Sequence, residues 1–153
     1  MSSPSIATPA TSWSAVSSRR ARTIERLAGL YARLALGAAF LSGVAERFGL
    51  WGDKSDWKNF GDFTRYTAKV LSFMPSRSIP FFAWAATAAE LSLGLALVVG
   101  FRVRWAAFGS AALLTVFATA MAISFGIKSP LDYSVFSAAA GALLLALHRP
   151  RAA

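Results

Sequence analysis

The sequence contains no cysteine, and its single histidine is His148. Disulfide scaffolds, thiolate catalysis, iron–sulfur ligation and thiol exchange therefore have no residues to work with in this chain. One histidine also leaves no pair for bis-histidine haem ligation. Charge is scarce: 15% of the residues are charged, and only seven of those are acidic. The apolar runs at 79–100 and 103–125 lack the polar face that a soluble helix shows every 3.6 residues. No glycine-rich dinucleotide loop is present, and no cluster of side chains has the spacing of a metal site or of a catalytic constellation.

What the chain has instead is apolar length. Of its 153 residues, 56% are hydrophobic and mean hydropathy is +0.50, above the roughly 45–50% apolar content of soluble domains. The net charge of +9 would suggest nucleic acid in a soluble protein. Here the basic residues flank apolar segments, so membrane lipid headgroups are the expected partner and nucleic acid is not.

Residues 1–25 read as a disordered basic N-terminal tail, rich in Ser, Thr, Ala and Pro before the cluster SRRAR at 18–22. Residues 26–148 read as a transmembrane domain with spans at about 26–47, 79–100, 103–125 and 131–148. Each approaches the ~20 residues that a helix needs to cross hydrocarbon. The expected fold is an all-α membrane protein, a four-transmembrane-helix antiparallel bundle. Gly100 and the following Phe101-Arg102-Val103-Arg104 predict a tight reversal between the second and third spans. Ser129-Pro130-Leu131-Asp132 has the form of a capping box, which makes Asp132 a cap at the start of the fourth. Small residues at four-residue steps (Ala35, Ala39 and Gly43; Ser134, Ala138 and Ala142) predict packing seams. Dense arginines beside the span ends put both termini in the cytoplasm.

The connection at 48–78 is long. Trp57, Phe60, Phe63 and Tyr66 recur every three residues with charges between them. That spacing predicts an amphipathic surface helix between spans one and two, with its aromatics at the headgroup level. A lid over a substrate is the alternative.

Two charges fall inside apolar runs. Taking span one to start at Arg26, Arg33 lies about 10 Å into it, and Glu90 lies about 15 Å from the same face. An isolated charge at the bilayer centre costs about 2.5–3.5 kcal/mol on insertion scales. Pairing Arg33 with Glu90 would offset much of that cost, and an intramembrane polar pair is a functional candidate by default. The expected pair is Arg33–Glu90, acting either as a fastener between helices or as a polar anchor.

The stretches YARLALGAAFLSGVAERFGLWG and SPLDYSVFSAAAGALLLAL, with the glutamate of AAELSLGLALVVGFRVRWAA between them, resemble the DoxX family of small bacterial membrane proteins. Arg33, Gly43, Glu90 and Asp132 fall on the family's characteristic positions. Many members carry a lysine three residues after the glycine, where this chain has Glu46 with Arg47 beside it. The resemblance implies a four-span bundle in the bacterial inner (cytoplasmic) membrane. The family's namesake is a subunit of a thiosulfate–quinone oxidoreductase. It therefore implies a quinone- or lipid-docking component of a membrane redox complex, with a bound quinone as the only cofactor and a partner subunit or a homo-oligomer beside it. The alternatives are a small proton-coupled transporter, a lipid-binding protein, or an assembly scaffold.

Overall fold

The computed structural model describes the backbone of residues 11–148 and side chains from Arg19 onward. Every regular element among the described residues is helical: α1 (Thr11–Arg47), α2 (Phe60–Val70), α3 (Ile79–Val99), α4 (Val103–Phe125), α5 (Lys128–Asp132) and α6 (Val135–Leu147), with short 3-10 turns at Gly52–Lys54 and Ser76–Ser78. Three of these, the Arg19–Arg47 part of α1, α3 with the turn before it, and α4, are long and apolar enough to cross a membrane. Large side chains such as Leu27, Val99, Trp105 and Val116 stay exposed along them. The chain is a multi-pass membrane protein whose apolar exterior faces lipid.

Two expectations change at the ends. The tail expected over 1–25 is helical from Thr11 onward, and residues 1–10 lie outside the described residues. The fourth apolar segment is broken. Ser134 adopts a left-handed conformation (φ 55°) between α5 and α6. The capping box does not form either. α5 starts one residue before Ser129, with no side-chain cap, and Asp132 instead pairs with Lys128 one turn back on an exposed face. Pro130 is tolerated because it sits in the first turn, where an amide hydrogen would have no helical partner.

Packing follows the small residues. α1 lies on α3, α3 on α4, α4 on α6 and α6 on α1. The tightest approach is Gly37 against Gly94. A Cβ at Gly37 would stand 3.0 Å from the carbonyl oxygen of Gly94, and one at Gly94 would stand 3.2 Å from that of Gly37. Backbone contact this close is how helices associate in lipid, where no hydrophobic drive exists between them. The seam on α1 thus runs through Gly37 and Phe40 rather than Ala35 and Ala39, which are exposed. On the other helices Ala142 is buried as expected, and Ala107 and Ala111 of α4 are buried too. The α3–α4 reversal turns at Gly100, which takes φ 85° and whose amide donates to the Ala96 carbonyl.

α2 is amphipathic: Phe63 and Thr67 are buried while Arg65 and Lys69 face outward. Asn59 caps it by accepting from the Asp62 amide, and Asp62 accepts in return from the Lys58 amide. Trp57 therefore precedes the helix, although it shares the three-residue spacing. The far end of α2 is tied to α4, where the Ser124 hydroxyl donates to the Val70 carbonyl at 2.6 Å. α2 packs against α1, α3 and α4, with its apolar face toward the protein.

Candidate functional site

The buried face of α3 reads Ile79, Ala83, Thr87, Glu90, Gly94 and Leu97. Steps of three and four residues put these on one stripe, and the stripe carries Thr87 and Glu90 inward. Glu90 is 4% exposed at mid-helix. Its partner is Arg47, not Arg33. Arg47 Nη2 donates to Glu90 Oε1 at 2.6 Å, and Nη1 donates to Thr87 Oγ1 at 2.9 Å. Thr87 in turn donates to the Ala83 carbonyl at 2.8 Å, so its hydroxyl oxygen is turned to accept from the guanidinium.

The register explains why the expected pair fails. The Gly37–Gly94 contact fixes which residues of α1 and α3 are level. Arg47 lies about 15 Å beyond Gly37, and Glu90 lies about 6 Å from Gly94 toward the same end. The two helices run antiparallel, and each side chain leans toward its own helix N-terminus. Arg47 and Glu90 therefore lean toward each other across the remaining ~9 Å. Arg33 lies about 6 Å on the other side of Gly37 and leans away from Glu90. The estimate from sequence placed Arg26 at the membrane face. In the structure Arg33 itself is level with Gly100, where a Cβ would stand 2.7 Å from its Nη1.

α2 closes the site from above. The Phe63 ring lies 4.0 Å from the Arg47 guanidinium carbon, a cation–π contact in a shielded place. Phe63 packs on Trp57 (5.1 Å between ring centres) and Phe60 (5.7 Å), and Phe60 stacks on Trp84 of α3 at 4.2 Å. Tyr66 lies 5.5 Å from Trp57. Burial, and secondarily the nearby Tyr133 phenol, push the Tyr66 hydroxyl above its usual range. The four aromatics expected at the headgroup level thus form a roof over Arg47.

Two hollows meet at Arg47. A smaller, open hollow of about 240 Å³ is lined by Glu90, Arg47, Leu36, Phe40, Leu114 and Phe117. A larger apolar groove of about 790 Å³ runs between α2, α3 and α4, past Phe63, Tyr66, Met74, Phe82 and Met121. Arg47 and Phe117 line both. The Arg47 Nε is shut off from solvent and has no acceptor. Glu90 Oε2 faces Gly43, where a Cβ would stand 3.5 Å away; this places the family-motif glycine beside the carboxylate. Asp132 is exposed and paired with Lys128, apart from the site.

A family model described as DoxX matches residues 28–126. The chain belongs to the DoxX family. The match runs from within α1 through α4 and covers Arg33, Gly43 and Glu90; α5 and α6 lie beyond it. No curated protein and no solved structure matches this DoxX chain. The residue that departs from the family pattern has its own work. Glu46 accepts from the Asp56 amide at 3.0 Å, and its carbonyl accepts from the Ser55 hydroxyl, fastening the loop that leads to α2. Arg47, one position on, supplies the buried cation. Among the described residues no three His, Asp or Glu side chains gather at metal-binding distance; Arg47 and Glu90 are the charged groups that border the hollows, and Thr87 holds Arg47 in place.

Sequence reasoning missed Arg47 because it ends an apolar run and sits beside Glu46, where solvation is the ordinary fate of a charge. The available signal was the lean of side chains on antiparallel helices, which draws together charges whose backbones stand at different depths.

Proposed function

We propose that this protein is a quinone- or lipid-docking component of a membrane-associated redox complex, one that holds its ligand rather than transforming it. The observation that carries the reading is the placement of Arg47. Its guanidinium borders both hollows, and its buried Nε–H has no acceptor. A hollow with a few polar groups, sharing the walls Arg47 and Phe117 with a larger apolar groove, suits an amphiphile with a compact polar head and a hydrocarbon tail. The residues present fit a quinone. Arg47, through its free Nε–H, would donate to a ring oxygen, Phe63 would cover it, and the groove walls would take its chain. Bound there, a quinone would supply electron acceptance. The protein would supply orientation and exclusion of water.

In the same reading α5 and α6 together make a fourth crossing, since α6 alone has 13 residues, about 20 Å of helix. That arrangement puts both termini on the cytoplasmic side of the inner membrane. The sequence has no cysteine, so single introduced cysteines report sidedness cleanly. Lys54→Cys is expected to react with an impermeant reagent from outside, and Arg102→Cys from inside only.

The docking reading is tested by mass spectrometry of the protein purified in mild detergent. A quinone or single amphiphile at near-equimolar amount, together with a redox partner, is expected from wild type. Arg47→Gln is expected to lose the ligand and Arg33→Gln to keep it. A ligand-free wild type, or full retention by Arg47→Gln, would refute the reading.

A further inference from the structure

The register that gives Glu90 to Arg47 leaves Arg33 with a different role. Its guanidinium rests against Gly100 at the C-terminal end of α3, where the helix dipole favours a cation. Yet its Nε is closed off from solvent without an acceptor. The ion pairs among the described residues are Arg47–Glu90, Arg65–Asp62 and Lys128–Asp132, and Arg33 is in none of them. A guanidinium lodged between membrane helices needs an anion for its directed N–H groups.

The surroundings specify which anion. One turn before Arg33 on the same face of α1, His148 lies against Gly29, 3.7 Å from where a Cβ would stand. Arg102 and Arg104 are exposed on the adjoining reversal, and Arg26 lies two turns outward along α1. Against these, Glu25 is the acidic residue between Arg19 and Ala45, and none lies between Leu91 and Leu131. Around the cationic cluster the surface is apolar: Val99 is 77% exposed, Trp105 68% and Phe101 64%. A small free anion would leave that surface uncovered, whereas acyl chains would cover it.

We propose that Arg33 holds the phosphate of an anionic phospholipid at this end of the bundle, while the exposed arginines of the α3–α4 reversal add only a diffuse, solvent-screened attraction. Basic pockets between membrane helices bind lipid headgroups in this manner. The site is separate from the Arg47 hollows, and neither proposal depends on the other.

The test is native mass spectrometry of the full chain in mild detergent with equal amounts of phosphatidylglycerol and phosphatidylcholine. Wild type is expected to retain phosphatidylglycerol selectively. Arg33→Gln is expected to lower that retention about tenfold, the effect of one charge-assisted contact. Arg104→Gln, exposed at the same end, is expected to change it by less than about twofold because solvent screens it. Millimolar inorganic phosphate is expected to leave the lipid in place. Equal retention of both lipids by wild type would overturn the proposal. So would an equal loss in Arg104→Gln, which would mean diffuse attraction, or displacement by inorganic phosphate, which would mean a small-anion site. If Arg33→Gln does not fold, Arg33→Lys and the wild-type lipid preference decide the matter.

Discussion

Removing one member of the Arg47–Glu90 pair tests the register of α1 on α3 directly. Arg47 makes two hydrogen bonds, at 2.6 Å to Glu90 and 2.9 Å to Thr87, and sits over the Phe63 ring. Breaking a buried pair in this way costs about 3–5 kcal/mol in soluble proteins. Polar couplings inside membranes are smaller, reaching about 1.7 kcal/mol in measured cycles. For Arg47→Gln we expect a loss of about 3 kcal/mol, because Glu90 is left buried without its donor. The double variant Arg47→Gln/Glu90→Gln is expected to recover part of it, giving a coupling of about 1.5 kcal/mol. The control is the cycle between Arg33 and Glu90. Their levels differ by about 12 Å, so coupling within about 0.5 kcal/mol of zero is expected. Reversible unfolding of the detergent-solubilised protein by SDS titration supplies all the free energies. A larger coupling for 33–90 than for 47–90 would show the register to be wrong, and the site built on it would fall.

Other outcomes follow from the same geometry. Gly37→Ala brings a methyl within 2.7 Å of Val98 Cγ2 and is expected to cost about 1–3 kcal/mol by overpacking, read in the same titration. Thr87→Val is expected to cost about 1–3 kcal/mol, because it leaves Arg47 Nη1 without its acceptor. Phe63→Ala strips the roof from Arg47; a loss of about 3–5 kcal/mol is expected, and an unchanged midpoint would place the ring outside the core. The Tyr66 hydroxyl is held above its ordinary value of 10.0 chiefly by burial. The folded state therefore favours the neutral phenol. That contribution is whole below about pH 10 and fades as pH climbs through the raised folded value. An alkaline decline that is absent in Tyr66→Phe, followed by thermal melts from pH 8 to 11, would bear this out.

Much of the scaffold was legible because bilayer and backbone together leave few solutions. Apolar runs of about 20 residues must be helices, since no water is available to satisfy the backbone. The bounds of α3 and α4 and the turn at Gly100 follow from that rule and from glycine's access to positive φ. That Glu90 faces inward was legible too, since a carboxylate turned to acyl chains would be too costly. The identity of its partner was not. It depends on how far α1 slides along α3, and Gly37 and Gly94 set that slide through backbone contact. Nothing in the spacing of charges marks those two among eleven glycines. The roof was hidden for a related reason. Aromatics at three-residue intervals fit a helix on a headgroup surface as well as one folded back on the protein. The Ser124–Val70 bond and the seating of Phe63 over Arg47 decide between them. Sequence alone thus determined that the chain is helical, embedded in a membrane and burdened with an internal carboxylate. Tertiary structure alone decided which cation answers it, because depth along one helix becomes depth along another only once the helices are in contact.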